Sequence, residues 1–423
     1  MNFKKISVIG LGYIGLPTAA ILASKQMHVI GVDINKFTVD LINDCKIHIV
    51  EPGLDVMVKE AVEKGDLRAT TIQESADAFL IAVPTPFLPS CSEGQIPQPD
   101  LTYIKSAAKS IAMVLKKGDL VILESTSPVG TTEQIAEWMA ELRPDLSFPQ
   151  SKGESSDIRV AYCPERVLPG CTLRELKEND RIIGGMTKNC SFAATELYKI
   201  FVEGECILTN SRTAEMAKLT ENASRDVNIS FANELSIICD KMKIDVWELI
   251  SLANKHPRVN ILQPGPGVGG HCIAVDPWFI VSSAPQESKL ITAARQINDS
   301  KPGWVVEKIR LAIAKIKLMH PEKSEDQIKI SCYGLAFKAN IDDLRESPAL
   351  SIAIEVINMH SGLVMLVEPN IDQLPEGLDD SGLVDFKLAC SNSDIHVLLV
   401  DHDEFRDQKP NKGIIIDTRG IWK

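Results

Sequence analysis

The sequence lacks the short motifs that hold metal ions or form disulfide frameworks. Its ten cysteines include no C-x-x-C pair, and H-E-x-x-H does not occur. These absences exclude the common zinc sites and a small scaffold held together by disulfides. We therefore expect no metal site, and we expect most of the cysteines to be buried as small apolar residues.

The chain also lacks an excess of positive charge and a long apolar run. Its formal net charge is -12, whereas a nucleic-acid-binding surface must be basic to neutralise phosphates. The first apolar run, in MNFKKISVIGLG, is too short for a signal peptide, and no later run reaches the length that spans a bilayer. We expect a cytoplasmic protein without a nucleic-acid or membrane partner.

The beginning of the chain carries a dinucleotide-binding pattern. In ISVIGLGYIGLPTAAILASKQ a short strand ends at Gly10, Gly12 and Gly15, and an alanine-rich helix follows. Glycines in this strand–turn–helix context allow a tight turn and a close approach of the backbone to a pyrophosphate. The next strand, in HVIGVDIN, ends at Asp33, whose carboxylate can bind ribose hydroxyls and would repel a 2′-phosphate. The pattern predicts a Rossmann-like domain that binds NAD.

Three further strands of the first 205 residues end in small, polar or proline-containing segments, in DAFLIAVPTP, DLVILESTSPVG and IRVAYCPERVLPG. The ligand crevice of a doubly wound sheet lies at the carboxyl ends of its strands. We therefore expect Pro84 and Thr85 in one loop, and Thr126 in the next, to line this crevice.

The middle of the chain differs in composition from the first 205 residues. Ser211 to Lys243 contains neither glycine nor proline, which predicts an unusually long helix, and a second long helix is predicted from Lys289 to Met319. Lys218 and Asn222 stand four residues apart and so share one face of the first helix. On most helices such a pair is only a solvated surface.

A glycine-rich loop, QPGPGVGGHCIAVDPW at residues 263–278, contains Cys272 and Asp276. A thiol that acts as a nucleophile at neutral pH needs cationic or hydrogen-bonding neighbours. The four glycines are expected to leave room for a substrate and to present backbone N–H groups. An inert cysteine in a glycine turn is the alternative that this stretch alone leaves open.

Strands return near residue 325, in IKISCYGLAFK, GLVMLVEPNI, DIHVLLVDH and GIIIDTRG. The predicted fold is therefore α/β, with two Rossmann-like α/β domains joined by a central helical domain that contains a long helix. The predicted domains are residues 1–205, 206–320 and 321–423. We expect each α/β domain to bind one ligand.

Seven segments occur in the order that is typical of the UDP-glucose/GDP-mannose dehydrogenase family, and the chain resembles that family on them: GLGYIGLPTA, VPTP, ESTSPVGTT, CPERVLPG, AEMAKLTENA, GPGVGGHCIAVDP and GLAFKANIDDLRESPA. The resemblance implies a homodimeric enzyme, with the dimer interface on the long helix. It also implies an NAD-dependent double oxidation of the C6 alcohol of a UDP-sugar to a carboxylate.

The forms CPERVLPG and GGHC resemble the branch of the family that acts on N-acetylated sugars. The implied substrate is UDP-N-acetylmannosamine, oxidised for bacterial surface polysaccharide such as enterobacterial common antigen. UDP-N-acetylglucosamine and UDP-glucose are alternatives, because no motif indicates which configuration at C2 of the sugar the enzyme accepts. A catalytically silent nucleotide-binding sensor is the alternative from a different class.

The resemblance also implies roles for individual residues. Cys272 would form a thiohemiacetal and then a thioester, Lys218 and Asn222 would stabilise an oxyanion, and Asp276 would act as a base through water. Glu165 would be a second carboxylate for the aldehyde or thioester, and Thr126 would position water. The implied cofactor contacts are Gly10, Gly12, Tyr13, Ile14, Gly15, Asp33, Pro84, Thr85, Thr126 and Arg345. The implied substrate contacts are Glu165, Arg166, Val167, Lys218, Asn222, Arg225, Arg258, Gly265, Gly269 and Lys338, with Arg258 reaching the substrate of the neighbouring subunit.

Two positions depart from the UDP-glucose branch. His271 replaces the serine of its GGSC segment, and Val275 replaces the lysine that precedes the aspartate there. His271 either tunes the neighbouring thiol or replaces a serine hydrogen bond.

Overall fold

The computed structural model describes residues 3–89, 95–168, 170–270, 272–375, 378 and 382–422. The chain forms two compact units, residues 1–220 and 221–423. Helix α9 (Ser211–Met242) runs through the boundary between them. His271 lies outside the described residues.

The first unit is built on an eight-stranded sheet, in the order β3-β2-β1-β4-β5-β6-β7-β8. Neighbouring strands are parallel except for β6 and β7, which are antiparallel. The strand order reverses between β1 and β4, the position at which a doubly wound sheet opens a ligand crevice. The strands are β1 (Lys5–Ile9), β2 (His28–Val32), β3 (Leu67–Thr70), β4 (Ala78–Ile81), β5 (Leu120–Leu123), β6 (Arg159–Tyr162), β7 (Arg181–Gly185) and β8 (Cys206–Asn210).

Helices cover both faces of this sheet. Alternate residues of a strand point to opposite faces, so Ile6 and Val8 of β1 join one apolar cluster while Ile9 joins the other. Burial on both faces explains why the central strands β4 and β5 are short continuous apolar runs rather than alternating ones. The helices are α1 (Gly15–Ser24), α2 (Lys36–Asn43), α3 (Leu54–Glu63), α4 (Thr102–Ala112), α5 (Thr131–Leu142), α6 (Pro149–Lys152), α7 (Thr172–Glu178) and α8 (Lys188–Tyr198).

The second unit contains helical segments followed by a four-stranded parallel sheet in the order β10-β9-β11-β12. Its strands are β9 (Ile330–Tyr333), β10 (Val364–Val367), β11 (Ile395–Leu398) and β12 (Ile414–Asp417). Its helices, besides the end of α9, are α10 (Val246–Ala253), α11 (Asp276–Ser283), α12 (Lys289–Met319), α13 (Pro348–Met359), α14 (Phe386–Asn392) and α15 (Asp403–Arg406).

The predicted fold class is confirmed, and both long helices occur within a residue of their predicted limits. Strands β3, β7 and β8 were not among the predicted strands. Because β8 pairs with β7, the first sheet continues past residue 205, and the domain limits themselves stay a prediction. Among the described residues, no helix combines the length and the apolar character needed to cross a bilayer.

Candidate active site

The turn between β1 and α1 uses its three glycines for different reasons. Gly10 has φ +90°, and a Cβ on it would lie 2.5 Å from the carbonyl oxygen of Ala82; a Cβ on Gly15 would lie 1.8 Å from the carbonyl oxygen of Gly10. These two glycines are therefore required by the packing of the protein itself. A Cβ on Gly12 would meet no atom within 4 Å. The open space at Gly12, beside the beginning of α1, fits a bound pyrophosphate.

Asp33 follows β2 and holds this turn. Its carboxylate accepts hydrogen bonds from the backbone N–H of Leu11 (2.9 Å) and of Asn35 (2.8 Å). Tyr13 is exposed and Ile14 is half-buried in the same turn. The carboxylate retains lone pairs for ribose hydroxyls, so the turn and Asp33 together fit an adenosine diphosphate.

The loops that follow β4 and β5 contact each other. The Thr85 hydroxyl donates to the carbonyl oxygen of Thr126 (2.7 Å). Thr85 and Thr126 are half-buried, and Pro84 is exposed beside them. The structure thus brings together the predicted residues of two strand ends.

Lys218 on α9 is bound to the loop that follows β6. Its Nζ donates to the backbone carbonyl oxygen of Glu165 (2.8 Å) and lies 3.8 Å from Oε1 of the same residue. Oε1 of Glu165 also accepts from the backbone N–H of Val167 (3.1 Å). Lys218 is only 8% exposed, so it is not part of a solvated surface. Arg166 in the same loop donates to the carbonyl oxygen of Asp180 (3.4 Å).

Glu215 also lies near this site, although no motif in the sequence indicated it. One turn before Lys218, its fully buried carboxylate accepts from the backbone N–H of Gly130 (2.6 Å) and from the N–H and hydroxyl of Thr132 (2.8 and 2.6 Å). Burial raises the pKa of Glu215, and these hydrogen bonds partly oppose the shift. The carboxylate caps the beginning of α5 and ties α9 to the loop that carries Thr126. A glutamate inside a helix pattern gave no signal of this inward contact.

Asn222 and Asp276 form a buried pair in the second unit. Asn222 Nδ2 donates to Asp276 Oδ2 (2.6 Å). The backbone N–H of Asp276 donates to the carbonyl oxygen of Cys272 (2.9 Å) in the single turn that leads into α11. Cys272 itself is exposed. The turn therefore places an accessible thiol one helical turn before a carboxylate whose orientation is fixed by Asn222.

The glycines of the loop before Cys272 are required by close contacts within the second unit. A Cβ on Gly265 would lie 2.5 Å from the guanidinium of Arg419, and one on Gly269 would lie 2.4 Å from the carbonyl oxygen of Glu346. The composition of the loop predicted that these glycines leave space for a substrate. The structure gives a different reason, because at these two positions the space that a side chain would need is already filled by protein atoms.

The remaining predicted cations lie at the surface of the second unit. Arg225, Arg258 and Lys338 are exposed. Arg345 pairs with Asp343 through Nε to Oδ1 (2.9 Å) and Nη2 to Oδ2 (2.6 Å). The contacts of these four cations to substrate or cofactor stay predictions.

The chain matches all three domains of one family. Residues 4–202 match the NAD binding domain of the UDP-glucose/GDP-mannose dehydrogenase family, residues 212–300 match its central domain, and residues 331–423 match its UDP binding domain.

Curated relatives cover the whole chain. The chain is 61% identical to UDP-N-acetyl-D-mannosamine dehydrogenase of Yersinia pestis, over 100% of both chains. It is 60% identical to NDP-N-acetyl-D-galactosaminuronic acid dehydrogenase of Ralstonia nicotianae, over 100% of this chain and 97% of that one.

Solved structures agree with these relatives. A UDP-D-ManNAc dehydrogenase from Pyrococcus horikoshii superposes with a TM-score of 0.86 at 37% identity, covering 99% of this chain and 96% of that one. The UDP-N-acetyl-mannosamine dehydrogenase of Staphylococcus aureus superposes with a TM-score of 0.83 at 40% identity, covering 99% and 95%. The glycine turn that fits a dinucleotide, the three matched domains and these full-length relatives agree: the chain belongs to the UDP-glucose/GDP-mannose dehydrogenase family, and NAD is its cofactor.

Proposed function

We propose that the chain oxidises UDP-N-acetyl-D-mannosamine at C6 to the uronate, with two NAD consumed per sugar. The observation that carries this proposal is the exposed thiol of Cys272 one turn before the buried pair of Asp276 and Asn222. An oxidation that stops at an aldehyde has no use for a thiol, whereas an oxidation that continues to an acid does.

The first oxidation converts the C6 alcohol to an aldehyde. It requires loss of a proton from O6, so negative charge develops on that oxygen. The ammonium of Lys218 and the amide of Asn222, one turn apart on α9, are the groups that stabilise this charge. Bound NAD supplies a hydride acceptor in each of the two oxidations.

The second oxidation needs a covalent intermediate. The thiolate of Cys272 adds to the aldehyde carbon, and the thiohemiacetal that forms carries a hydrogen that can leave as hydride. Loss of that hydride gives a thioester. Water then attacks the thioester carbon, the C–S bond breaks, and the products are the carboxylate and the restored thiol. Asp276, through water, and Glu165 are the carboxylates that accept protons in these steps.

The relatives leave two N-acetylated sugars to be distinguished. One is named for UDP-N-acetyl-D-mannosamine and the other for an NDP-N-acetyl-D-galactosaminuronic acid, at almost equal identity. The manno sugar is favoured because both solved structures cited above, at 37% and 40% identity, carry its name. UDP-N-acetylglucosamine, UDP-glucose and a silent nucleotide sensor are the other candidates.

The substrate is tested by the yield of NADH at 340 nm per mole of sugar. UDP-N-acetylmannosamine, UDP-N-acetylgalactosamine, UDP-N-acetylglucosamine and UDP-glucose are each supplied in limiting amount with excess NAD. We expect two NADH from the manno sugar and little from the others. Two NADH from another sugar would show that this other sugar is the substrate. No NADH from any sugar would favour the nucleotide-binding sensor.

Asp33 provides a test of the cofactor site. Asp33→Ala is expected to raise the KM for NAD about tenfold or more, because it removes both a ribose acceptor and the hydrogen bond that holds the glycine turn at Leu11. The KM for the UDP-sugar should change little. Asp40→Ala, which removes an exposed carboxylate of α2 paired with Lys36, is the matched control. An unchanged KM for NAD in Asp33→Ala would remove this residue from the site.

We also propose a cytoplasmic homodimer that supplies the uronate for bacterial surface polysaccharide. The dimer is supported by large apolar side chains exposed along α9, Phe231 (51%), Ile238 (45%) and Met242 (62%), because such patches on helices commonly form interfaces. In this assembly Arg258 is the residue that reaches the substrate of the neighbouring subunit.

A further inference from the structure

A row of buried polar residues runs along α9 for five turns. Lys218, Asn222, Asp226, Asn233 and Ser236 are each at most 9% exposed. Their spacings of four, four, seven and three residues keep them on one face of the helix. The first two belong to the proposed catalytic set, and the other three have no role in the mechanism above.

A chain of hydrogen bonds extends from this face to the glycine-rich loop. Oδ1 of Asp226 accepts from Arg295 Nη1 (2.6 Å) and from Asn298 Nδ2 (2.8 Å). Asn298 Oδ1 accepts from Asn233 Nδ2 (2.8 Å), and Asn233 Oδ1 accepts from the backbone N–H of Gly265 (2.9 Å). None of the four residues is more than 1% exposed. The chain therefore joins α9 and α12 and ends on the loop.

Burying these polar and charged groups costs desolvation free energy, so we expect the fixed geometry of the network to have a role. Burial raises the pKa of Asp226, and the charge of Arg295 with the hydrogen bond from Asn298 opposes the shift. Apolar side chains of similar size would pack the two helices without any desolvation cost. The hydrogen bonds that run from Asn298 through Asn233 to Gly265 instead fix one register of their members, and one of those members is the loop backbone.

The two asparagines hold opposite ends of the same loop. Asn233 binds Gly265, and Asn222 binds Asp276. The two are eleven residues apart on α9, which is three turns and about 16 Å along one face. Cys272 lies between the two attachment points in sequence.

We propose that Asn233 is a positioning residue that, with Asn222, fixes the loop presenting Cys272 from both ends. The proposal rests on the proposed function in one respect, namely that Cys272 is the reacting thiol. Asn233 touches no reacting atom. Its effect on the reaction passes through the backbone of Gly265.

The test uses the full chain with Asn233→Leu, which keeps the branched shape of the side chain and removes both hydrogen bonds, and Asn233→Asp, which keeps the acceptor for Gly265 N–H and removes the donor to Asn298. Asn228→Leu, at an exposed asparagine of α9, is the matched control. Three kinds of measurement are made: kcat with the KM values for the UDP-sugar and for NAD, amide hydrogen exchange of the peptide containing Gly265, and the rate of alkylation of Cys272 by iodoacetamide as a function of pH.

We expect Asn233→Leu to lower kcat about tenfold or more, with the KM for NAD changed less than about twofold. Exchange at Gly265 should be about tenfold faster, and the pH profile of Cys272 alkylation should shift. In Asn233→Asp, which keeps the acceptor, exchange at Gly265 should stay slow. A general loss of stability would instead make exchange faster in both variants.

Two results would overturn the proposal. One is an Asn233→Leu enzyme with wild-type kcat and a wild-type alkylation profile. The other is fast exchange at Gly265 in the wild-type protein, which decides the question even if Asn233→Leu fails to fold. Failure of the proposed function has a different signature: the wild type would form no NADH, while exchange and alkylation would still report whether Asn233 holds the loop.

Discussion

Cys272→Ala is expected to abolish uronate formation, with a loss of about a thousandfold or more in its rate. Without the thiol, the aldehyde carbon cannot form the thiohemiacetal from which the second hydride leaves. The first oxidation does not use the thiol, so at most one NADH per sugar should form. The NADH yield and the mass of the sugar product, measured together, distinguish an acid from an aldehyde.

Cys206→Ala is the matched control, because it removes a half-buried thiol from the edge strand β8 and leaves the proposed site intact. It should form two NADH per sugar at the wild-type rate. Uronate formed by Cys272→Ala at an undiminished rate would show that the exposed thiol takes no part, and the aldehyde would then have to be oxidised as its hydrate.

The strands that the sequence predicted well are those buried on both faces. Such strands are nearly continuous apolar runs, and the segments ISVI, AFLI and LVIL are buried along their whole length. Strand β8, CILTN, lies at the edge and is partly exposed. Its pattern is weak because only one neighbouring strand and part of one face constrain its residues.

The long helix was predicted in position but its buried face was not. Amphipathic helices normally bury their apolar stripe, and Lys218 with Asn222 would then be solvated. The structure buries Lys218, Asn222 and Asp226 instead, and leaves Phe231 and Ile238 half exposed. Periodicity shows which residues share a face, but the partners that satisfy a buried polar face come from distant segments of the chain.

The contacts of the glycine-rich loop also come from distant segments of the chain. Its composition predicted an unusual backbone, which the structure has at Gly270 with φ +81°. The reason for Gly265 and Gly269 lies in contacts with Arg419 and Glu346, more than seventy residues further on. No local pattern contains that information.

Lys218→Met is expected to lower kcat by about a hundredfold to a thousandfold, the effect of removing one donor from a developing oxyanion. Methionine keeps most of the volume, so α9 should still pack. The KM for the UDP-sugar should rise only a few fold, because the charge that Lys218 stabilises develops mainly in the transition state. Initial rates with both substrates varied give the two constants separately.

The fixed position of Lys218 leads to a second expectation, for the variant that keeps the positive charge. Its ammonium is fixed by the backbone carbonyl oxygen of Glu165 and lies 3.8 Å from that residue's carboxylate, so it is held in place before substrate binds. Lys218→Arg should therefore not restore activity, since a planar guanidinium cannot occupy the same point. Lys241→Met, at an exposed lysine near the end of the same helix, should leave both constants unchanged. Equal losses in kcat and in affinity would instead make Lys218 a binding residue, and the stabilisation of the oxyanion would then rest on Asn222.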